Sequence, residues 1–426
     1  MSDNFFDEME ARGLVHGASE GARQLFESGP VTGYVGFDPT GSSLHVGHLL
    51  PLLALARLQR AGHRPVALVG GGTGMIGDPS GKSVERQLLT REDVERNVEA
   101  LRPQLARFLD FEGPGAALLV DNHEWLGSML LIDFLRDVGK HFTVNYMLAK
   151  DSVARRLEQE SGLSVTEFSY SLLQAYDYLM LSDRHGAALQ MGGSDQWGNI
   201  TSGMELIRRT RGRHAHGLVM PLITTAGGQK FGKTEAGAVW LDPERTSPFR
   251  FYQFWLNTDD RDVRHYLNAF TFLPPDEVAA VMEEQSANPA ARAAQRRLAV
   301  EVTRMVHGGE GLERAERATG VLFGSRAARE LGAAELLDVF ADVPSTETPR
   351  TRLEGEGIPV VDLLAESGIA ASKGEARRLI AGGGLYLNGE RIAGPDQRVT
   401  AGDAIDGQVL LLRKGKKENR VVRLLE

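Results

Sequence analysis

The chain has 426 residues, 42% hydrophobic and 25% charged, values that argue for globular domains and against wholesale disorder. It contains no cysteine, which excludes disulfides, thiol catalysis and cysteine-ligated metal sites. The formal charge is −9, which taken alone disfavours a nucleic-acid partner.

The start, MSDNFFDEMEAR, is acidic and lacks the basic and apolar regions of a secretory signal. The longest apolar run, LLPLLALARL, is interrupted by Arg57, so no membrane span is expected and the reading is of a cytoplasmic protein.

VTGYVGF (31–37) reads as a buried strand between Gly-Pro and Asp-Pro. A helix follows, lined by Leu49, Leu50, Leu52, Leu53, Leu55 and Leu58 and ended by Gly62. RPVALVGG (64–71) and ALLVDN (117–122) read as further strands. Strand–helix–strand repetition predicts a mostly parallel sheet with helices on its faces, and the ligand crevice then lies at the carboxyl ends of the strands. From 248 to 330 the strand pattern gives way to helices. Residues 331–356 mix Pro, Gly, Thr and charges and read as a linker, followed by a small α+β unit at 357–426.

Five segments carry chemistry. In FDPTGSSLHVGH (37–48) a strand ends, Pro39 and Gly41 turn the chain, and His45 and His48 flank Gly47 at a helix start, a place that attracts phosphate. GGGTGMIGDPSGKS (70–83) contains G-x-G-x-x-G, yet Asp78-Pro79 breaks the helix that a dinucleotide fold requires there. A P-loop fails too, because Ile76 stands where its first Gly belongs. What remains is a Gly-rich loop presenting Asp78, Lys82 and Arg86. Tyr170, Gln174 and Asp177 are spaced to share one helix face, with apolar neighbours, as in a pocket for a small polar ligand. GGSDQWGN (192–199) presents Asp195 and Gln196 after two glycines. GGQKFGKT (227–234) places Lys230 and Lys233 on a loop suited to transient contact with polyphosphate.

In this order the motifs resemble class I aminoacyl-tRNA synthetases, with His45-Val46-Gly47-His48 in place of the HIGH signature and Lys230-Phe231-Gly232-Lys233-Thr234 in place of KMSKS. Tyr34, Tyr170, Gln174 and Asp177 make the resemblance one to the bacterial tyrosyl-tRNA synthetase family over essentially the whole chain. It implies a Rossmann-like α/β catalytic domain at 1–220 with a dimerisation insertion near 120–165, and a catalytic loop and linker at 221–247. A helical anticodon-side domain at 248–330, the linker at 331–356 and an RNA-binding module at 357–426 complete the expected organisation.

The implied reaction joins L-tyrosine to AMP using ATP with Mg²⁺, releases pyrophosphate, and moves the tyrosyl group to the 3′-terminal adenosine of tRNA(Tyr). By resemblance, Thr40 and His45 hold the leaving pyrophosphate, and Lys82, Arg86, Lys230, Lys233 and Thr234 close on the phosphates. Gly47 and His48 support the ribose, Asp195 takes a ribose hydroxyl, Gly193 belongs to the ATP site, and Asp38 and Gln196 lie near the reacting groups. Tyr34 and Asp177 bracket the substrate phenol, while Asp78, Tyr170 and Gln174 take its ammonium group. No tightly bound cofactor or resident metal is implied.

In the last unit, Ser372 and Glu375 form a capping box, and Ala376, Leu379 and Ile380 make a buried stripe. Lys373, Arg377 and Arg378 remain as candidate phosphate contacts. Residues 351–426 carry 12 basic and 11 acidic side chains, net +1, which leaves −10 for the rest. The acidic total therefore does not exclude RNA, held at a few basic patches that include RRTRGRHAH (208–216).

Overall fold

A computed structural model of the chain describes residues 4–80, 88–158, 162–228, 231–234, 237–415 and 418–425, with backbone only at 151–152 and 233–234. The chain divides into two compact units, one of residues 1–245 and 255–306, the other of 246–254 and 307–426.

The first unit is built on a six-stranded sheet: β1 (Gly17–Ala18), β2 (Thr32–Phe37), β3 (Arg64–Val69), β4 (Leu118–Asp121), β5 (Ala187–Gly193) and β6 (His216–Met220), in the order β1-β6-β5-β2-β3-β4. Only β1 runs antiparallel to its neighbour. The continuous apolar runs expected of parallel strands are present because helices cover both faces; Val66 and Ala67 of β3 are fully buried. The chain builds β2, β3 and β4 outward, then returns to lay β5 against the other side of β2. The order reverses between β2 and β5, which makes their carboxyl ends the ligand crevice.

Local sequence explains the helices that flank this crevice. Helix Leu49–Arg60 buries all six leucines named above. In helix Val165–His185 the Ser164 side chain accepts from the Glu167 N–H, and Gly186 (φ 67°) ends the helix in the left-handed conformation. Helix Trp197–Arg211 packs on it so closely that a Cβ at Gly203 would lie 2.8 Å from the Tyr178 Cβ. Side by side, these two helices place Asp177 and the 194–196 turn on the same crevice.

The expected helical domain at 248–330 is helical but not separate. Residues 255–306 belong with the sheet unit, and 248–254 with the other: Trp255, Tyr266 and Phe270 pack around Phe231, and buried Arg57 donates to the carbonyls of Ala269 (3.0 Å) and Thr271 (2.8 Å). From His307 onward it belongs to the other unit, where Ala318 and Val321 pack with Leu336, Phe340, Leu411 and Val421.

The expected linker at 331–356 is likewise folded, which corrects that reading. Residues Ala333–Val339 form a helix, Leu336 and Phe340 are buried, and Ser345–Pro349 is a strand parallel to Glu418–Leu425. Polar composition hid this because Leu336, Val339 and Phe340 find apolar partners, Val409, Leu411 and Val421, far along the chain. The strands of the second unit's larger sheet run in the order Glu390–Arg391, Leu385–Leu387, Val409–Lys414, Glu418–Leu425, Ser345–Pro349. In helix Lys373–Ala381 Ser372 caps the Glu375 N–H at 3.2 Å, and Ala376 and Ile380 are buried as the spacing predicts.

The basic run at 208–216 is no free patch. Arg208 and Arg209 pair with Glu205, and Arg211 and Arg213 pair with Asp183.

Candidate active site

A cavity of about 610 Å³ opens at the β2/β5 reversal point. It is lined by Tyr34, Asp38, Thr40, His45, Gly47, His48, Asp78, Tyr170, Gln174, Asp177, Gly193, Asp195 and Gln196. Thirteen of the residues singled out in the sequence thus come together from four separate segments.

The floor is a chain of buried hydrogen bonds. Tyr170 Oη donates to Asp38 Oδ2 at 2.8 Å, and Thr73 Oγ1 donates to Asp38 Oδ1 at 2.7 Å. Asn122 Nδ2 donates to Thr73 Oγ1 and to Asp177 Oδ2, both at 2.9 Å, and Trp125 Nε1 donates to Asp177 Oδ1 at 2.7 Å. Gly72 N–H in turn donates to Asn122 Oδ1 at 2.7 Å, which fixes the amide's orientation. Asp38, read in the sequence as lying beside the reacting groups, is therefore also a structural acceptor between two elements. Asp177 is 2% exposed, and burial pushes its carboxyl up to about 7 in spite of its two donors.

Tyr34 is fully buried, its hydroxyl has no hydrogen-bond partner among the described residues, and it feels the charge of Asp177. A buried hydroxyl left unmatched in a cavity wall is a group awaiting a ligand's polar atom. Burial also holds its own proton on, pushing Tyr34 well above the ordinary range, so it presents a neutral O–H beside a carboxylate.

The wall above carries amides and a second carboxylate. Gln196 Nε2 donates to Asp78 Oδ2 at 2.8 Å, Gln174 Nε2 and Asn199 Nδ2 each donate to Gln196 Oε1 at 3.3 Å, and Ser80 N–H donates to Asp78 Oδ1 at 2.9 Å. Asp78, Gln174 and Gln196 thus form one network that suits an ammonium group. A Cβ at Gly192 would lie 3.0 Å from the Gln196 Cβ and one at Gly193 2.6 Å from Asp195 Oδ1, so the two glycines let these side chains lie close to the backbone.

At the mouth, the rings of His45 and His48 stack with centroids 3.9 Å apart. His45 Nδ1 accepts from Gly47 N–H at 3.0 Å and His48 Nδ1 accepts from His45 N–H at 3.2 Å. Both neutral rings therefore carry their proton on Nε2, which makes that nitrogen the donor. A Cβ at Gly47 would stand 2.8 Å from the His45 ring, which explains the glycine between the histidines. The Lys233–Thr234 strand pairs with Gly237–Ala238, and the arm beyond it returns to this segment: Val46 N–H donates to Val239 O and Leu241 N–H to Leu44 O, both at 2.9 Å. The two signature motifs are neighbours in space.

Lys82, Arg86 and Lys230 lie outside the described residues. Lys373, Arg377 and Arg378 stand on the helix of the second unit, Arg377 and Arg378 exposed and Lys373 paired with Asp362 at 2.9 Å. Thr73, Asn122 and Trp125 escaped the sequence reading. One signal was present: Asp121-Asn122 closes a strand, and the carboxyl ends of parallel strands face the crevice.

A parallel sheet with its ligand cavity at the reversal point, a stacked histidine pair at a helix start and a lysine-bearing hairpin braced on that pair define a nucleotide-using class I synthetase site. In keeping with this, residues 27–324 match the family of class I tRNA synthetases for W and Y, and the chain belongs to that family. Within it the chain is similar to tyrosine enzymes. Residues 335–422 match the tyrosine–tRNA ligase SYY-like C-terminal domain. The tyrosine–tRNA ligase of Roseiflexus castenholzii is 57% identical over 98% of this chain and 99% of its own, and that of Anaeromyxobacter dehalogenans 54% identical over 99% of each. The solved C-terminally truncated mitochondrial tyrosyl-tRNA synthetase of Aspergillus nidulans is 32% identical, with a TM-score of 0.68 over 75% of this chain and 94% of its own. A Plasmodium falciparum tryptophanyl-tRNA synthetase, 13% identical with a TM-score of 0.52 over 78% of this chain and 87% of its own, shares the fold.

Proposed function

We infer that the chain is a tyrosine–tRNA ligase: it activates L-tyrosine with ATP to tyrosyl-adenylate and pyrophosphate, then transfers the tyrosyl group to the 3′-terminal adenosine of tRNA(Tyr). The observation that carries the choice of amino acid is the buried, unmatched Tyr34 hydroxyl beside the Asp177 carboxylate. A phenol supplies both a donor for Asp177 and an acceptor for Tyr34. An indole or a phenyl ring leaves at least one of them unsatisfied in a dry site.

The ammonium group sits against the Asp78, Gln174, Gln196 and Tyr170 wall, which turns the substrate carboxylate toward the mouth. That carboxylate is already ionised near neutral pH, so the site needs no general base. Its oxygen attacks the α-phosphorus of ATP, the bond to pyrophosphate breaks, and catalysis rests on positioning and on neutralising charge. Thr40 and His45 serve the leaving pyrophosphate, Gly47 and His48 the ribose, and Asp195 a ribose hydroxyl. Lys82, Arg86, Lys230, Lys233 and Thr234 are assigned to the phosphates. Mg²⁺ is assigned to the ATP substrate, whose phosphates it accompanies. ATP–pyrophosphate exchange tested with tyrosine, tryptophan and phenylalanine decides the assignment; exchange that tryptophan drives as well as tyrosine would refute it.

Arg377 and Arg378 are proposed to contact tRNA phosphates. Deleting residues 350–426 is a poor probe, because it strips away the strands that cover Leu336 and Phe340. Arg377→Glu with Arg378→Glu is expected to weaken tRNA(Tyr) binding by about tenfold, with a shallower salt dependence and unchanged exchange. Unaltered affinity in filter binding would remove this role.

A second copy of the chain is proposed to cover the apolar surface of the 120–165 segment, where Leu130, Leu131 and Ile132 are each more than two-thirds exposed. Sedimentation as a monomer at micromolar concentration would contradict this. The tRNA substrate supports a cytoplasmic place of action; among the described residues no helix is long and apolar enough to cross a membrane.

A further inference from the structure

Residues 38–45, which carry Thr40 and lead to His45, form no regular element between β2 and the histidine turn. Their backbone is held largely from outside, by the helix Arg91–Leu105. That helix starts at a Thr90 capping box and buries Val94, Val98, Leu101 and Leu105 along one stripe. Asn97 and Gln104 lie on the neighbouring stripe, seven residues and two turns apart, so both project the same way.

The contacts are specific. Asn97 Nδ2 donates to Pro39 O at 2.9 Å. Gln104 Nε2 donates to Ser42 O at 3.2 Å, and its Oε1 accepts from Leu44 N–H at 2.9 Å with Ser43 Oγ 3.2 Å away. Leu44 is buried, so water cannot replace the bond from its N–H to Gln104 without opening the segment, whereas the Ser42 bond is exposed. On its other flank the segment meets the arm that follows the lysine hairpin: Asp242 N–H donates to Ser43 Oγ at 3.2 Å and Leu241 N–H to Leu44 O at 2.9 Å. Gln104 therefore supports a stretch of backbone that leads into the histidine motif and holds the arm after the lysine motif, although neither it nor Asn97 lines the cavity.

We propose that Asn97 and Gln104 are positioning residues for the ATP half of the reaction, fixing Pro39–Leu44 so that Thr40 and His45 meet the phosphates in register. The tyrosine pocket, built on β2, β5 and helix Val165–His185, does not depend on them. This rests on the adenylate-forming reading, which tyrosine-dependent exchange by the unaltered chain tests separately.

Gln104→Met keeps the volume of the side chain and removes its donor and acceptor. Single-turnover formation of tyrosyl-adenylate is expected to slow by about tenfold, as misplacement of reacting groups by a fraction of an ångström does. Tyrosine affinity by calorimetry is expected to stay within about twofold. Gln104→Glu, which keeps the acceptor for Leu44 N–H, is expected to recover part of the rate. Asn97→Ala, which removes one half-buried bond, applies the same test where the Met variant does not fold. A fall of less than about threefold in the folded variants overturns the proposal, as does a matching loss of tyrosine affinity, which would mark a general loosening of the unit.

Discussion

Asp177→Ala is expected to weaken tyrosine binding by on the order of 10²-fold while ATP binding is retained. Two costs add. The substrate phenol loses a charge-assisted acceptor, worth roughly 1.5–3 kcal/mol. In addition Asn122 Nδ2 and Trp125 Nε1, which both donate to this carboxylate, lose that partner in a dry site. Calorimetry with tyrosine is the direct measurement, and unchanged affinity would refute the pocket assignment. The same variant carries a signature in pH. Burial raises Asp177 from its ordinary 3.8 to about 7, so between those values the folded chain holds a proton that the unfolded chain has released. Stability therefore falls as pH rises through that window, the slope following from the difference in bound protons. Without the carboxyl group this contribution to the slope disappears, and thermal denaturation from pH 4 to 7 reads it directly. A slope identical to that of the unaltered protein would mean that Asp177 is ionised throughout.

Lys233→Ala is expected to slow tyrosyl-adenylate formation by roughly 10²-fold or more, the loss typical of one preorganised contact to charge that develops in a transition state. The backbone supports this expectation. Gly232 adopts φ 77°, and a Cβ there would lie 2.5 Å from the Val46 side chain, so the turn before Lys233 is pressed against the histidine motif. Val239 N–H donates to Gly232 O at 3.0 Å, and the Phe231 ring stacks on Phe270 with centroids 5.0 Å apart. A substitution at 233 thus removes an ammonium group and leaves its support in place. Tyrosine affinity should be unchanged, since the phenol and ammonium contacts lie on other elements. Pre-steady-state formation of adenylate at a near-normal rate would sink the assignment.

How much of this was legible differs from residue to residue. Tyr170, Gln174 and Asp177 could be placed on one helix face from spacing alone, because a helix fixes that geometry locally. Gly47 read as part of a helix start and Gly232 as part of a Gly-rich loop, but the reason for each glycine is a contact: the His45 ring for Gly47, Val46 for Gly232. Arg208, Arg209, Arg211 and Arg213 read as a basic patch because the acids that answer them include Asp183, on a different helix. Residues 331–356 read as a linker because Leu336, Phe340 and the strand at 345–349 find their partners some 70 residues further on.

Strand and helix periods were enough to read the α/β class, because they are local properties, and the order of motifs carried the resemblance that implied the chemistry, whereas the −9 total taken alone pointed away from an RNA partner. Which groups line the cavity was decided only by the tertiary structure. The state of a side chain in a cavity depends on what surrounds it: Thr73 reaches Asp38 from one segment, Asn122 and Trp125 reach Asp177 from another, and those two donors together with burial set the charge of Asp177. The unmatched hydroxyl of Tyr34 is likewise a property of packing, and no pattern along the chain encodes it.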